Sequence, residues 1–170
     1  MEKITYLNNG QWVLEKAKAK DSSSARRWMH SGMRDHLDSL PAAEGKDRLK
    51  SLNLINNETD SRINPESGEK EFKLFRAANK DRPAWDDKIS SWTTNPDMAH
   101  YWGTNLNTVF PGEKVRNTVV NHAWIPEKHI HSHLNAIVGN NHEKAAEQEV
   151  LVHPHKINVF HTEIPVKKQT

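Results

Sequence analysis

Three short stretches of this chain combine residue types that could act on a bound phosphate or sugar. Arg76 lies in LFRA, with Leu74 and Phe75 before it and Ala77 and Ala78 after it. A guanidinium among apolar neighbours in a strand is costly to bury unless an anion or carboxylate receives it, and its planar fork suits phosphate. The plainer reading is an edge-strand Arg in solvent. In SSWTT, alternation along a strand sends Ser91 and Thr93 to one face and Trp92 to the other. Two hydroxyls on one face can hold a sugar or a carboxylate while Trp92 anchors the strand in the core, although Ser and Thr also fill ordinary solvent-facing strand positions. In EQEVLV, Glu147 and Glu149 are expected on one face of a strand beside a run fit for burial. Adjacent like charges raise a pKa unless cations or hydroxyls intervene, which makes the pair a candidate acid/base or cation-stabilising device. A solvated strand entrance is the alternative.

Positioning these groups takes a folded body, and the composition supplies one. The chain has 170 residues, 35% of them hydrophobic and 27% charged, enough for one domain with a sizeable core. A net charge of +2 does not by itself call for a nucleic-acid partner. No cysteine is present, which excludes disulfides, thiolate zinc sites and thiol catalysis. The sequence from Met1 to Thr5 has no signal-peptide core, and no run approaches the roughly 18 apolar residues of a spanning helix. A soluble cytoplasmic protein with no membrane partner is the expectation.

The first third reads as helical. Trp12, Val13, Leu14 and Ala17 begin one segment. Ser22–Ser24 offer a cap before Ala25 to Leu40, where Trp28, Met29, Met33, His36 and Leu37 recur at helical spacing. Pro41 stops that segment, and Glu44 to Leu54 predicts a third helix. Asn56 to Lys70 is polar and turn-rich, a loop or sub-domain joint. Strands are predicted at Glu71–Ala77, Lys88–Thr94, Asn117–Ile125, Glu147–Val152 and Lys156–Ile164. Short helices are predicted at Pro96–Trp102 and Pro126–Leu134. The sum is α+β, with a helical region at 1–55 and a mostly β body at 56–170.

Taken together, LFRA, SWTTNPDMAHYW and EQEVLV resemble the R-S-E class of ADP-ribosyltransferases, in the family's order and over about the last hundred residues. The middle block, with hydroxyl-aromatic-Thr-Thr and then Asp-x-Ala past a turn, is similar to the version in small bacterial and phage members, toxins among them. The resemblance implies a split β-sandwich core that binds NAD, preceded by a helical lobe, and no metal. It implies that Glu149 is the catalytic carboxylate facing the nicotinamide ribose, that Arg76 clamps NAD phosphate or ribose groups, and that Ser91 orients Glu149. Thr93 would support the ribose side of the pocket and the backbone of Ala77 the nicotinamide amide. Glu147 sets the acceptor in the family, where Glu-x-Glu favours protein arginine; members that modify RNA or DNA bases also exist. The loop Ala136 to Ala146, with Gly139, Asn140 and Asn141, would occupy the acceptor-recognition position. Two departures stand out: Thr93 replaces the commoner Ser and Ala77 the frequent Gly. The helical first third is a candidate surface for a neutralising partner or for the target.

Two other readings compete. The eleven histidines include His129, His131 and His133, and His153 and His155, spaced two apart as on a metal-chelating strand. No His-Glu-x-x-His accompanies them, and surface histidines on a short helix and turn explain them more simply. The second rival is a nucleic-acid-binding module using Arg26, Arg27, Lys16, Lys18, Lys20, Lys167 and Lys168 with some of the six tryptophans. Trp12, Trp28, Trp92, Trp102 and Trp124 instead sit in periodic segments that read as core.

Overall fold

α1 (Gly45–Glu58) is the third helix expected from the sequence, one turn longer than its apolar pattern suggested. The computed structural model describes residues 41–81, 88–109, 111–115, 117–138 and 145–168, so the two helices expected before Pro41 lie outside the described residues. α1 buries Ser51 and Ile55 and ends where Thr59 turns extended, its amide donating to the Ile55 carbonyl. The stretch Asn56–Lys70 is not a loop or a joint. It completes α1, forms β1 (Ser61–Ile63), and turns through Asn64 and Gly68 into β2 (Lys70–Asn79). Asn64 Oδ1 accepts from the amides of Glu66 and Ser67, and Gly68 takes the left-handed φ of 72° that the turn requires. α1 crosses the boundary between regions 1–55 and 56–170, and its Ile55 belongs to the sheet's core.

The remaining elements are β3 (Ser90–Thr93), α2 (Pro96–Leu106), β4 (Thr108–Val109), β5 (Thr118–Pro126), β6 (Ile130–His133), α3 (Leu134–Val138), β7 (Glu149–Val152), β8 (Phe160–Glu163) and β9 (Lys167–Lys168). The class is α+β. The main sheet runs β6-β7-β3-β2-β5-β8, with β1 on the start of β2 and every pairing antiparallel. β4 and β9 make a small separate parallel pair that the sequence did not suggest. The helix expected over Pro126–Leu134 is instead a 3-10 turn (Glu127–His129) followed by β6, because Ile130–His133 pairs with β7 and buries all four side chains. Of Lys156–Ile164 only β8 is a strand.

Burial alternates along β5, whose Val119, Asn121, Ala123 and Ile125 are buried while Val120, His122 and Trp124 are half-buried. Phe72, Leu74, Trp92, Ala123, Ile125, Val150 and Val152 make the buried face, closed by Ile55 of α1 with Ile130 and Ile157. At about 25 cal/mol per Å² of apolar surface, this layer is the main stabilising element.

The other face carries α2. Asn95 caps it by accepting from the Asp97 amide at 3.0 Å, and Pro96 starts it. Gly103 brings the helix close to the sheet: a Cβ there would collide with Ile164 Cδ1 and lie 3.4 Å from the Ala77 Cβ. Among the described residues no helix is long and apolar enough to cross a membrane.

Candidate active site

The three motif strands are neighbours, β7-β3-β2, although their residues lie far apart in sequence. β3 pairs with β7 along its whole length, Ser90↔Val152 through Thr93↔Glu149. With β2 it shares one ladder pair, Phe75↔Thr93, whereas β2 and β5 share nine. Beyond that single bridge the facing edges of β2 at Arg76–Asn79 and β3 at Ser90–Trp92 have no ladder pairing with one another. The β2–β3 ladder stops where the Arg and hydroxyl motifs stand.

Ser91 and Glu149 are brought together. Ser91 Oγ donates to Glu149 Oε2 at 2.5 Å, and both residues are half-buried. Glu149 pairs directly with Thr93, so Ser91 reaches it diagonally on the same face. Trp92 faces the core with no exposure, its indole N–H donating to Ser90 Oγ at 2.9 Å. The alternation expected for Ser91, Trp92 and Thr93 is therefore present.

Thr93 is fully buried, and its hydroxyl donates to the Glu147 carbonyl at 2.6 Å and accepts from the Asn95 amide at 3.1 Å. It ties the end of β3 to the segment entering β7 and to the start of α2. α2 lies on the side of β2 that carries Ala77, which at the bridge is the side of Phe75 and Thr93.

Glu147 does not lie on the strand with Glu149. It closes a 3-10 turn (Ala145–Glu147), and Gln148 takes a left-handed φ of 47°, so β7 begins only at Glu149. A left-handed residue breaks period-2 alternation, which corrects the expectation of two carboxylates on one strand face. Arg76 is half-buried with its Nη1 nitrogen inside. Alternation from the Phe75↔Thr93 bridge puts it on the Trp92 side of the sheet, whereas Ser91 and Glu149 lie on the other side, so the Arg motif does not share a face with the hydroxyl and carboxylate motifs as the resemblance implied. Ala77 pairs with Val120 of β5. Of the loop expected over Ala136 to Ala146, Ala136–Val138 belong to α3, Ala145 and Ala146 to the 3-10 turn, and residues 139–144 lie outside the described residues.

Comparison with protein-family models, with curated proteins and with solved structures gives no match. The site rests on its own geometry.

Sequence reasoning missed one group of residues. Glu58, at the end of α1, accepts from Thr94 Oγ1 at 3.0 Å and pairs with His133 Nε2 at 2.6 Å. Burial works to raise the Glu58 pKa, but the bonds from His133, Thr94 and Gln148 outweigh it and hold the carboxyl below its ordinary value. Nothing in the spacing links Glu58 to His133; only the fold does.

The histidines are also placed differently from the expectation of surface positions on a short helix and turn. His131 and His133 are buried on β6, His129 stacks on His155 with ring centres 3.8 Å apart, and His131 meets His153 edge-on at 5.1 Å. Among the described residues no three His, Asp or Glu side chains converge as metal ligands. A separate row of rings crosses β2, β5 and β8. Phe75 meets His122 at 6.4 Å, and His122 stacks on Phe160 at 5.6 Å, with Phe160 69% exposed.

Proposed function

We propose that the protein is an NAD-dependent mono-ADP-ribosyltransferase with an ADP-ribosyltransferase-like split core, acting in the cytoplasm on a macromolecular acceptor. The observation that carries this reading is the Ser91–Glu149 hydrogen bond at 2.5 Å, beside a β2–β3 ladder that stops at Phe75. A carboxylate fixed through one oxygen and half-open to solvent suits a sugar cation, and a guanidinium suits a diphosphate, although Arg76 stands on the opposite face of the sheet from Glu149.

NAD supplies a nicotinamide that leaves readily, because its departure neutralises the pyridinium. As the bond from the ribose C1′ to the ring nitrogen lengthens, its electron pair goes to nicotinamide and positive charge grows on the ribose. Glu149 faces that charge, as a carboxylate does in glycoside hydrolysis, and accepts from the ribose 2′-hydroxyl. Ser91 holds the carboxylate in its orientation. Thr93 acts on the same side through the backbone it ties, and the Ala77 backbone borders the nicotinamide side. The acceptor's nucleophile then bonds to C1′ and loses its proton.

Protein arginine remains the leading acceptor, with Glu147 orienting the guanidinium or taking its proton from the turn before β7. One observation favours a second reading, a nucleic-acid base. The row Phe75–His122–Phe160 offers ring faces on which a base could stack, and Lys73 Nζ lies 6.0 Å from the Phe75 ring centre. The residues before Pro41 are the candidate contact for a neutralising protein.

Incubation with labelled NAD and cell extract, followed by protease or nuclease digestion, tests the reading and sorts the acceptors. Label released by protease supports protein, and label released by nuclease supports the second reading. Absence of both transfer and nicotinamide release overturns the proposal.

A further inference from the structure

One face of the main sheet carries rings that the core does not use. Residues paired directly across neighbouring strands share a face, and Phe75 pairs with His122, which pairs with Phe160. The three rings therefore stand in file across β2, β5 and β8, with centres 6.4 and 5.6 Å apart. Lys73 and Trp124 are the next facing pair on that side, toward the start of β2. Arg62 of β1 joins them through its pairing with Glu71, and its guanidinium lies 4.4 Å from the Trp124 ring centre. Single apolar side chains on a surface are ordinary, but a file of rings with a fourth beside it is not accounted for by burial.

The face is open to water. Phe160 is 69% exposed on the edge strand β8, and Phe75, His122, Lys73 and Trp124 are half-buried. α2 packs on the same side at Ala77, the next facing position toward the end of β2, whereas Lys73 and Trp124 lie the other way. His122 backs Phe160, their planes 22° apart. Burial first, and the Lys73 charge second, hold the His122 pKa below its ordinary value, so at neutral pH this ring is uncharged.

The charge beside the rings selects the partner. Lys73 Nζ stands 6.0 Å from the Phe75 ring centre, and Arg62 is held over Trp124 with its Nε donating to Glu71 Oε1 at 2.9 Å. Flat rings in file with a cation alongside complement a chain that alternates flat bases with phosphates. An apolar peptide would match the rings and not the lysine. A duplex would match the lysine and keep its bases stacked away from the rings.

We propose that this face is a docking platform for a single strand of nucleic acid, with bases stacking on Phe160, His122 and Phe75 and a phosphate meeting Lys73. Base faces and phosphates are common to both sugars, so DNA and RNA strands are expected to bind alike. The inference is independent of the ADP-ribosyl-transfer reading, because the binding needs no NAD.

The test titrates the full-length protein, without NAD, into short labelled DNA and RNA single strands of mixed sequence and into the matching duplex, reading fluorescence anisotropy at low and high salt. Phe160→Ala removes an exposed ring, so its unfolding temperature is expected to match that of the parent while single-strand affinity falls about five- to a hundredfold, the loss of one stacked base. Phe160→Leu keeps apolar bulk without the ring and is expected to lose affinity as well. Lys73→Ala is expected to weaken binding to every sequence and to lower the slope of log affinity against log salt by about 0.7, one phosphate contact on a single strand. Leu49→Ala, which trims an exposed side chain of α1, is expected to bind as the parent does. A parent that binds no single strand at low salt overturns the inference. So does parental affinity in Phe160→Ala or Phe160→Leu, because the ring then takes no part. A duplex bound as tightly as the strand overturns it too, since charge alone would then account for the binding.

Discussion

β2 has two long neighbours and treats them differently. Toward β5 it is paired from Glu71 to Asn79, and toward β3 it is joined only at Phe75. The first seam carries Leu74, Ala123 and Ile125 in a closed core, and a ladder with that much apolar contact on one face has one stable register. The second seam carries Arg76 on β2 and Ser91 on β3, which alternation sends to opposite faces of the sheet. Continued antiparallel pairing from that bridge would set Arg76 opposite Trp92 and Ala77 opposite Ser91. The ladder is continuous toward β5 and single-bridged toward β3, where the Arg and hydroxyl motifs and the candidate site lie.

The sharpest way to break that contrast is at the single-bridged seam. Glu149→Gln is expected to lower nicotinamide release by about a thousandfold or more, since an aimed charge in a catalytic site is worth about that much. Its unfolding temperature should barely move, because Glu149 is half-buried and outside the core cluster. Ser91→Ala removes one hydrogen bond to a carboxylate, worth about 1.5–3 kcal/mol, so about a ten- to hundredfold loss is expected. Full turnover by Glu149→Gln in a nicotinamide-release assay would remove the catalytic assignment.

The continuous seam answers to the opposite measurement. Leu74→Ala opens a cavity in a position with no exposure and is expected to cost about 2–5 kcal/mol in denaturant unfolding. Phe75→Ala, at a half-buried position on the single bridge, should cost less. Equal losses at the two positions would mean that the face carrying Phe75 contributes as much to the fold as the core face carrying Leu74.

How much of this was legible beforehand follows the same division. β2, β3, β5 and the start of α2 were readable from local patterns, because apolar runs, alternation and a Pro at a helix start act within a few residues. Ser91 facing Glu149 was readable too, since strand alternation sets the direction of one and a family resemblance paired it with the other. Three features were not. The Gln148 turn is tied by contacts from Thr93 and Thr94, so EQEVLV by itself reads as an unbroken strand. His129–His133 looked like a polar surface because alternating histidines are polar, yet β6 is covered by α1 and satisfies His133 through Glu58. The single bridge between β2 and β3 is a matter of which edges meet, and no window of sequence encodes that.

A smaller effect comes from acid. His129 and His153 have pKa values lowered first by burial, then by neighbouring positive groups including His155. A group with a lowered folded pKa takes its proton first in the unfolded chain, so stability is lost as pH falls below the ordinary histidine value of 6.5. Glu58, also lowered, adds a second loss as pH falls below its ordinary 4.5. The unfolding temperature should therefore drop between pH 7.5 and 5.5, and His155→Gln should flatten that drop by removing one of the facing imidazoles. A drop left unchanged by His155→Gln would mean that burial alone sets the histidine shifts.

The smallest effect is expected at the far end of the continuous seam, where Lys80, just past β2, pairs with Glu163 of β8. Lys80 is raised and Glu163 lowered by their mutual bond and charge, yet both side chains are solvated. Water and salt screen such a pair, and holding two long side chains in one geometry offsets most of the attraction. Lys80→Ala should leave unfolding within measurement scatter, at low salt as at high, and leave NAD turnover unchanged. A clear, salt-sensitive loss would mean that the β2 end needs this clasp despite its ladder to β5. The apolar contacts would then reach less far along the seam than its register does.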